Sequence, residues 1–371
     1  MRRVTLGPEE DGLNIEDVIG NALRDAFQRR GKVNILAAGR TGVGKSTLIN
    51  AVFQGNLAHT GQGRPVTKNV REITKEGVPL SIIDTRGLEM ADFDQTREDL
   101  EAEVEARNRR EDPSGHIHVG WVCIAEDSRR VELAETKLTE GLSRHFPVAG
   151  VITKARSDNG FRAEVQRLLP DAKNVVRVRA IPEELDDGHV LSPMGLVELI
   201  RLTAELVPEG QRNALAAAQK VDIEGKRAQA HVAVGTAATA AFAAGVSPIP
   251  FSDCVILVPI QVGLLATITS VFGLPLSKGF LTTLVSSAAG CTAATFGGRA
   301  LVANLLKFIP GVGTAAGAAI SGTTAAAFTT ALGEAYIAVL SSLLREKDID
   351  EITEDEIVAA FKTHLALTKK T

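Results

Sequence analysis

The residues best suited to chemistry lie near the start of the chain: Gly39, Arg40, Thr41, Gly42, Val43, Gly44, Lys45, Ser46 and Thr47. Their spacing is GxxxxGK[ST], between an apolar run and a helical pattern. Glycines let successive backbone N–H groups turn inward around phosphate oxygens, and a helix N-terminus adds its positive dipole end. Lys45 is expected to neutralise β- and γ-phosphates, and the Ser46 hydroxyl to ligate Mg²⁺. A second group, Asp84-Thr85-Arg86-Gly87, ends the apolar run that begins at Ile82. Asp84 is predicted to hold the magnesium through water, and the Gly87 amide to touch the γ-phosphate. Between the two, Thr67 follows Gly63-Arg64-Pro65-Val66 and is placed to complete the metal's coordination when a γ-phosphate is present, which makes residues 53–70 the first switch. The candidate catalytic residues are thus Lys45, Thr67 and Gly87, and the candidate metal ligands Ser46, Thr67 and Asp84.

The elements that position these groups alternate in type. Residues 33–39, 71–75, 79–85, 116–125, 147–153 and 174–181 read as strands. Residues from 45 onward, 93–110, 130–144, 157–169 and 194–206 read as helices. Such alternation predicts an α/β domain with a mostly parallel sheet and helices on both faces. A helix over residues 15–30 leads into the first strand and is expected to pack on the C-terminal helices.

GRTGVGKSTLIN, RPVTKNV and DTRG together resemble the translation-factor-class GTPases, in the branch shared by Era-like bacterial GTPases and immunity-related GTPases. The resemblance implies a Ras-like P-loop fold, GTP and GDP as ligands and Mg²⁺ as cofactor. In that branch the residue after DxxG is hydrophobic, here Leu88, so the glutamine that orients water in small GTPases is absent. Slow hydrolysis is implied, or hydrolysis completed by a partner or by a second copy in trans. By analogy, a homodimer forms through the nucleotide face.

The base-reading pattern [NT]KxD departs from the family. The chain has Thr153-Lys154-Ala155-Arg156, and an arginine has no acceptor for guanine's N1–H and exocyclic amine. Asp158, two residues on, reaches the base if the loop bends, and Lys154 stacks along the base plane. Val178-Arg179-Ala180 stands where the family has Ser-Ala, so Arg179 and Ala180 complete the candidate nucleotide contacts. GTP is the favoured ligand, with ATP or loose specificity as the alternative. Arg40 acts either as an internal arginine finger or, as favoured here, in solvent or partner contact. His116 and His118 alternate along one strand; with no third ligand nearby they are expected to be surface residues of an edge strand rather than a metal pair.

The chain of 371 residues is 44% hydrophobic and 23% charged, with a net charge of −4, which excludes disorder and a global nucleic-acid-binding surface. Three cysteines without a CxxC pair exclude a disulfide framework or a zinc site of that kind. No secretory h-region is visible at the N-terminus, so a reducing cytoplasmic setting is expected.

Composition changes in the second half. Residues 228–333 contain four charged residues, Asp253, Lys278, Arg299 and Lys307, in a background of Ala, Gly, Thr, Val and Leu. Helices are expected over 211–245, 254–272, 281–296, 300–308 and from 314 to about 344, and an amphipathic helix closes the acidic tail. SPIPFSD and IPGVGTAAGAAISGTT resemble a bacterial domain of uncharacterised function that follows such GTPases in proteins thought to associate with the inner membrane. The runs 228–252, 254–277, 279–298 and 308–333 are long enough to span a bilayer, for which about twenty apolar residues suffice. Three readings stand: integral insertion, a compact bundle, and a bundle that exposes an apolar hairpin to lipid when the nucleotide changes. The absence of a Trp/Tyr belt weakens the first.

The expected organisation is a lead-in over residues 1–31, a P-loop GTPase domain over 32–208 and an all-helical domain over 209–371. The expected function is a Mg²⁺-dependent GTP-binding and GTP-hydrolysing switch or remodelling enzyme, peripheral to the inner membrane or inserted in it, whose helical domain meets lipid or a partner. A scaffold that recruits partners and hydrolyses almost nothing is the alternative.

Overall fold

Val33–Ala38 is apolar apart from Asn34 and forms a strand, β1, with every side chain buried, as a strand covered on both sides must be. The computed structural model describes residues 14–55, 57, 62–65, 70–85, 93–245, 252–288 and 322–368. The remaining strands of the main sheet are β2 (Gln62–Pro65), β3 (Val70–Thr74), β4 (Leu80–Thr85), β5 (Val119–Ala125), β6 (Val148–Thr153) and β7 (Val175–Arg177). They stand in the order β2-β3-β4-β1-β5-β6-β7. Strands β4, β1, β5, β6 and β7 run parallel, and β2 and β3 are antiparallel additions at one edge. The α/β class expected from the alternation of elements is the one observed, although the strand expected over 174–181 is only three residues long. A separate hairpin follows it, β8 (Glu183–Glu184) with β9 (Val190–Leu191).

The helices of this half are α2 (Lys45–Val52), α3 (Phe93–Asn108), α4 (Leu133–Ser143), α5 (Phe161–Leu168) and α6 (Leu196–Leu206), preceded by α1 (Ile15–Arg30). Helices α2 and α6 cover one face of the sheet around Trp121, whose indole stacks on Phe53 and donates to Thr203 Oγ1 at 3.1 Å. Helices α3 and α4 cover the other face around Leu100, Val104, Leu138 and Leu142.

His116 and His118 lie before β5 rather than on an edge strand. His118 is buried, and its Nδ1 accepts from the backbone N–H of Asn34 at 2.9 Å. The Asn34 side chain in turn donates to the carbonyls of Ser114 and His116. The pair thus fastens the start of β5 to β1, which corrects the expectation of a surface position for His118.

The second half is helical: α7 (Arg212–Ala218), α8 (Ile223–Gly245), α9 (Ser252–Phe272), α10 (Lys278–Ala288), α11 (Gly322–Glu346) and α12 (Glu354–Thr368). Its core joins Val262, Leu265, Ile268, Phe272, Tyr336 and Phe361, and α1 contributes Val18, Ile19, Ala22 and Ala26 to it. The N-terminal helix therefore packs on the C-terminal helices, as expected. The stretches 246–251 and 289–321, which hold most of SPIPFSD and the expected helix over 300–308, lie outside the described residues.

Helix α7 is the seam between the two halves. Ala214, Leu215 and Ala218 enter the core beneath the sheet, while Ala216 packs against the helical core. The end of α2 exchanges backbone hydrogen bonds with the segment after α7: Gln54 N–H donates to Ala218 O at 3.1 Å and Lys220 N–H to Val52 O at 2.9 Å. The Gln54 side chain donates to Ala217 O at 2.5 Å. Lys226, fully enclosed, donates to the carbonyls of Ala216 and Ala217 and, at 3.0 Å, to that of Phe272. One ammonium thus closes the C-terminal ends of α7 and α9, where unsatisfied carbonyls and the negative dipole end favour a cation. Burial pushes its pKa down to about 7, against the pull of Asp222.

The antiparallel edge of the sheet carries its own charge cluster. Arg107 on α3 donates to Glu72 at 2.9 Å and to Glu103 at 2.6 Å, and Ser81 donates to Glu72. Burial alone would raise the Glu72 carboxyl; the bonds from Arg107 and Ser81 and the nearby Lys32 outweigh it and take it down to about 2. A carboxyl held below its ordinary value of about 4.3 contributes stability that is complete above that value and lost as pH falls toward the folded one. The stability gap between wild type and Glu72→Gln, followed by thermal unfolding against pH, is therefore expected to be full above about pH 5 and to close between about pH 4.5 and 2. A gap independent of pH would contradict the assignment.

Candidate functional site

The loop between β1 and α2 is shaped by its glycines. Gly39 has φ 147° and Gly44, the residue before α2, has φ 99°. A Cβ on Gly39 would lie 2.5 Å from the carbonyl oxygen of Cys123 on β5, so no other residue fits there. Lys45 opens α2, and its Nζ donates to Gly39 O at 2.7 Å and Arg40 O at 3.1 Å. The ammonium is buried within the curl of its own loop. Ser46 and Thr47 follow it, exposed on the first turn of α2.

Parallel pairing brings the second group alongside. Asp84 stands opposite Ala37 in the β1–β4 register, two residues before the loop begins. The buried Cys123 thiol lies in reach of both charges: Lys45 pulls its pKa down and Asp84 pushes it up, while burial dominates and raises it to about 12. Lys45, which opens the helix after β1, and Asp84, near the end of β4, thus lie at the same C-terminal end of the sheet, the place where open α/β sheets bind ligands. Thr67, Gly87 and Leu88 lie outside the described residues.

Arg40 points away from this centre. Its guanidinium meets Glu132, the residue before α4, at 2.5 Å. Glu132 also belongs to a capping box with Glu135, so Arg40 ties the loop to the start of α4.

Thr153 ends β6 and fastens the P-loop from the other side. Its hydroxyl lies 2.5 Å from Val43 O and 3.2 Å from Ile124 O. Lys154 follows with φ 54°, a conformation that side chains rarely adopt and that often marks a functional loop. Its Nζ lies 3.4 Å from Asp127 Oδ2. The rest of this loop hangs on Glu126, whose Oε2 accepts from the backbone N–H groups of Arg156 at 2.5 Å and Ser157 at 2.8 Å. Burial alone would raise the Glu126 carboxyl, but these amides and the Arg177 guanidinium hold it below its ordinary value.

A cavity of about 300 Å³ opens beside the P-loop. Gly44, Thr47, Thr153, Lys154, Arg179 and Ala180, all expected at the nucleotide, line it. Asp158 does not. Its Oδ1 accepts from the Arg162 N–H at 2.9 Å and so caps α5, and it lies 3.4 Å from Arg177 Nε. Asp127, Arg156 and Glu183 line the cavity instead. Glu126 and Asp127 were legible only as charges directly after a parallel strand, where ligand contacts gather. Glu183 carried no local signal.

Residues 34–146 match the family model described as a 50S ribosome-binding GTPase, and residues 210–368 match a domain of unknown function, DUF697. The translocase of chloroplast 101 of Physcomitrium patens is 29% identical over 175 residues, covering 44% of this chain and 19% of that protein. The tRNA modification GTPase MnmE of Paracidovorax citrulli is 27% identical over 213 residues, covering 53% of this chain and 41% of that protein. Magnetosome membrane protein 22 of Magnetospirillum gryphiswaldense is 31% identical over 98 residues, covering 26% of this chain and 50% of that protein. The crystal structure of Toc33 from Arabidopsis thaliana with Mg²⁺ and GMPPNP is 18% identical, with a TM-score of 0.33 over 53% of this chain and 93% of that one. The chain spans about a fifth of the length of the chloroplast translocase and less than half that of the tRNA-modifying relative. It carries a GTPase domain followed by the DUF697 domain.

Gly39→Ala tests the loop geometry. The forced contact with Cys123 and the positive φ are expected to cost about 1–3 kcal/mol of stability and to abolish nucleotide binding, measured by thermal unfolding and by fluorescent-nucleotide titration. Unchanged binding would contradict the loop's role.

Proposed function

We propose that the protein is a Mg²⁺-dependent GTP-binding and GTP-hydrolysing switch whose nucleotide state is coupled to its helical domain. The observation that carries this is the glycine-built loop, with Lys45 opening the helix after β1 and Asp84 near the end of the adjacent β4, at one end of the sheet and within a segment that matches a GTPase family model. Gly39, Gly42 and Gly44 let the loop amides face phosphate oxygens, and Lys45 supplies the compensating charge from a side chain already held in place. Ser46 and Thr67 would hold the magnesium, with Asp84 behind water. The ion supplies charge neutralisation at the phosphates. Thr153 and Lys154 hold the base side of the cavity, and Arg179 and Ala180 close it.

The coupling follows from the end of α2. That helix begins at the phosphate loop and ends in the backbone exchange with Ala218 and Lys220, beside the α7 carbonyls of Ala216 and Ala217 that Lys226 joins to α9. A shift of α2 between nucleotide states therefore meets the helical domain directly. The resemblance implies hydrolysis that is slow alone and rises when two copies meet through the nucleotide face.

The helical domain is proposed to act at the cytoplasmic surface of a membrane or on a partner there. Two observations support a membrane. One relative is named a magnetosome membrane protein. Among the described residues, one helix, Gly322–Glu346, is long and apolar enough to cross, with mean hydropathy 1.4 in its most apolar window. Half of that window is buried in the fold, which favours peripheral contact over stable insertion.

Multiple-turnover phosphate release from GTP, with and without liposomes and across protein concentrations, tests the proposal. Wild type is expected to turn over with a specific rate that rises with concentration, and Lys45→Ala to lose nucleotide binding and turnover. Nucleotide binding unchanged in Lys45→Ala would refute the site; tight binding with no turnover under any condition would leave a scaffold.

A further inference from the structure

Guanine presents N1–H and an exocyclic amine side by side, so a protein that selects it must offer acceptor lone pairs at that edge. Position 156 offers the reverse, a guanidinium with donors only. The structure brings a carboxylate to the tip of that guanidinium. Arg156 Nε lies 2.9 Å from Glu183 Oε1, and Arg156 Nη2 contacts the same oxygen. Both contacts fall on Oε1. Among the described residues, no hydrogen bond reaches Glu183 Oε2.

The placement is firm at both ends. Glu183 begins β8, where it pairs with Leu191 of β9. The base of this hairpin is closed by the exchange between Arg179 and Met194, with N···O distances of 3.0 and 3.1 Å, and by Arg179 Nε donating to Ser192 O at 2.9 Å. Arg156 is fixed from behind, since its backbone N–H is held by Glu126. Glu183 lines the same cavity as Lys154 and Ala180, next to the phosphate loop. The cavity's other carboxylate, Asp127, is 63% exposed against 28% for Glu183, and its contact to Lys154 is long at 3.4 Å. Of the two, Glu183 is the preorganised acceptor.

We propose that Glu183 reads the guanine edge through its carboxylate, with Arg156 as the positioning residue that aims it. The ion pair then replaces a single acid at position 156: the acid is displaced along the chain and returned to the cavity by the base. This rests on the GTP reading above and names the specificity group of that same site.

The test is displacement of a fluorescent guanine nucleotide from the full chain by GDP, IDP and ADP. IDP keeps N1–H and lacks the amine, so it isolates the second contact. Wild type is expected to prefer GDP over IDP by about tenfold or more, the scale of a hydrogen bond to a charged group. In Glu183→Gln that preference is expected to fall to about twofold, with ADP affinity unchanged because the phosphate site is intact. Arg156→Ala is expected to lose most of the preference, and the exchange Arg156→Glu with Glu183→Arg to recover it, which a merely structural role for the pair would not produce. Thermal unfolding of each variant checks the fold. A GDP/IDP ratio unchanged in Glu183→Gln, or collapsed by Asp127→Asn instead, overturns the proposal while leaving GTP binding standing. A wild type that binds no guanine nucleotide overturns both.

Discussion

The structure depends on a single enclosed ammonium. Lys226 reaches the carbonyls of Ala216 and Ala217 on one side and of Phe272 on the other, so it closes the ends of the seam helix α7 and of α9 in the helical core. Burying a charged lysine is costly, and the cost is tolerable only where several acceptors surround it. Here the acceptors are helix-end carbonyls that would otherwise be orphaned. The same carbonyl of Ala217 also receives Gln54, the second residue beyond α2. Gly273 is part of this junction: a Cβ there would lie 2.1 Å from Ala217 O. Phosphate loop, α2, seam helix and helical core are thereby joined through a few atoms, leaving little room for one to shift without the next.

The nucleotide end of that chain of contacts is built by strand ends. Parallel pairing aligns the C-termini of β4, β1, β5 and β6, and each contributes one group: Asp84, the loop itself, the carbonyl of Cys123, and Thr153. A buried, protonated Cys123 adds no charge to the centre, which keeps the field there set by Lys45 and Asp84. On the base side the order is reversed. The polar groups are abundant and mostly paired with one another: Glu126 with Arg177, Arg156 with Glu183, and Asp158 with the amide that opens α5.

This contrast explains what was legible in the sequence. The phosphate loop was readable because its backbone path admits only glycine at certain points, which leaves a fixed spacing. The α/β class followed from buried strands alternating with helices, for the same reason of period. Asp158 is close to Arg156 along the chain but does not line the cavity in this structure. Asn159 and Gly160 turn the backbone through positive φ and start α5, so the carboxylate serves that helix. Glu183 and Arg156 are 27 residues apart, and their pairing comes from a hairpin too short to leave a pattern. In the helical half, strings of Ala, Gly and Thr give almost no amphipathic signal, so the sequence leaves membrane insertion open beside the two bundle readings, with the missing Trp/Tyr belt weighing against it. The described helices bury Val262, Leu265, Tyr336 and Phe361 against one another and against α1.

Hydrogen exchange reports most directly on the coupling between nucleotide and helical domain. The amides of Gln54 and Lys220 lie in the exchange between α2 and the seam, and Gly273 lies at the end of α9. Their protection is expected to differ between the GDP and GTP-analogue states in wild type, and the difference at Gly273 to disappear in Lys226→Met. Identical protection in the two nucleotide states, with both nucleotides bound, would contradict the account.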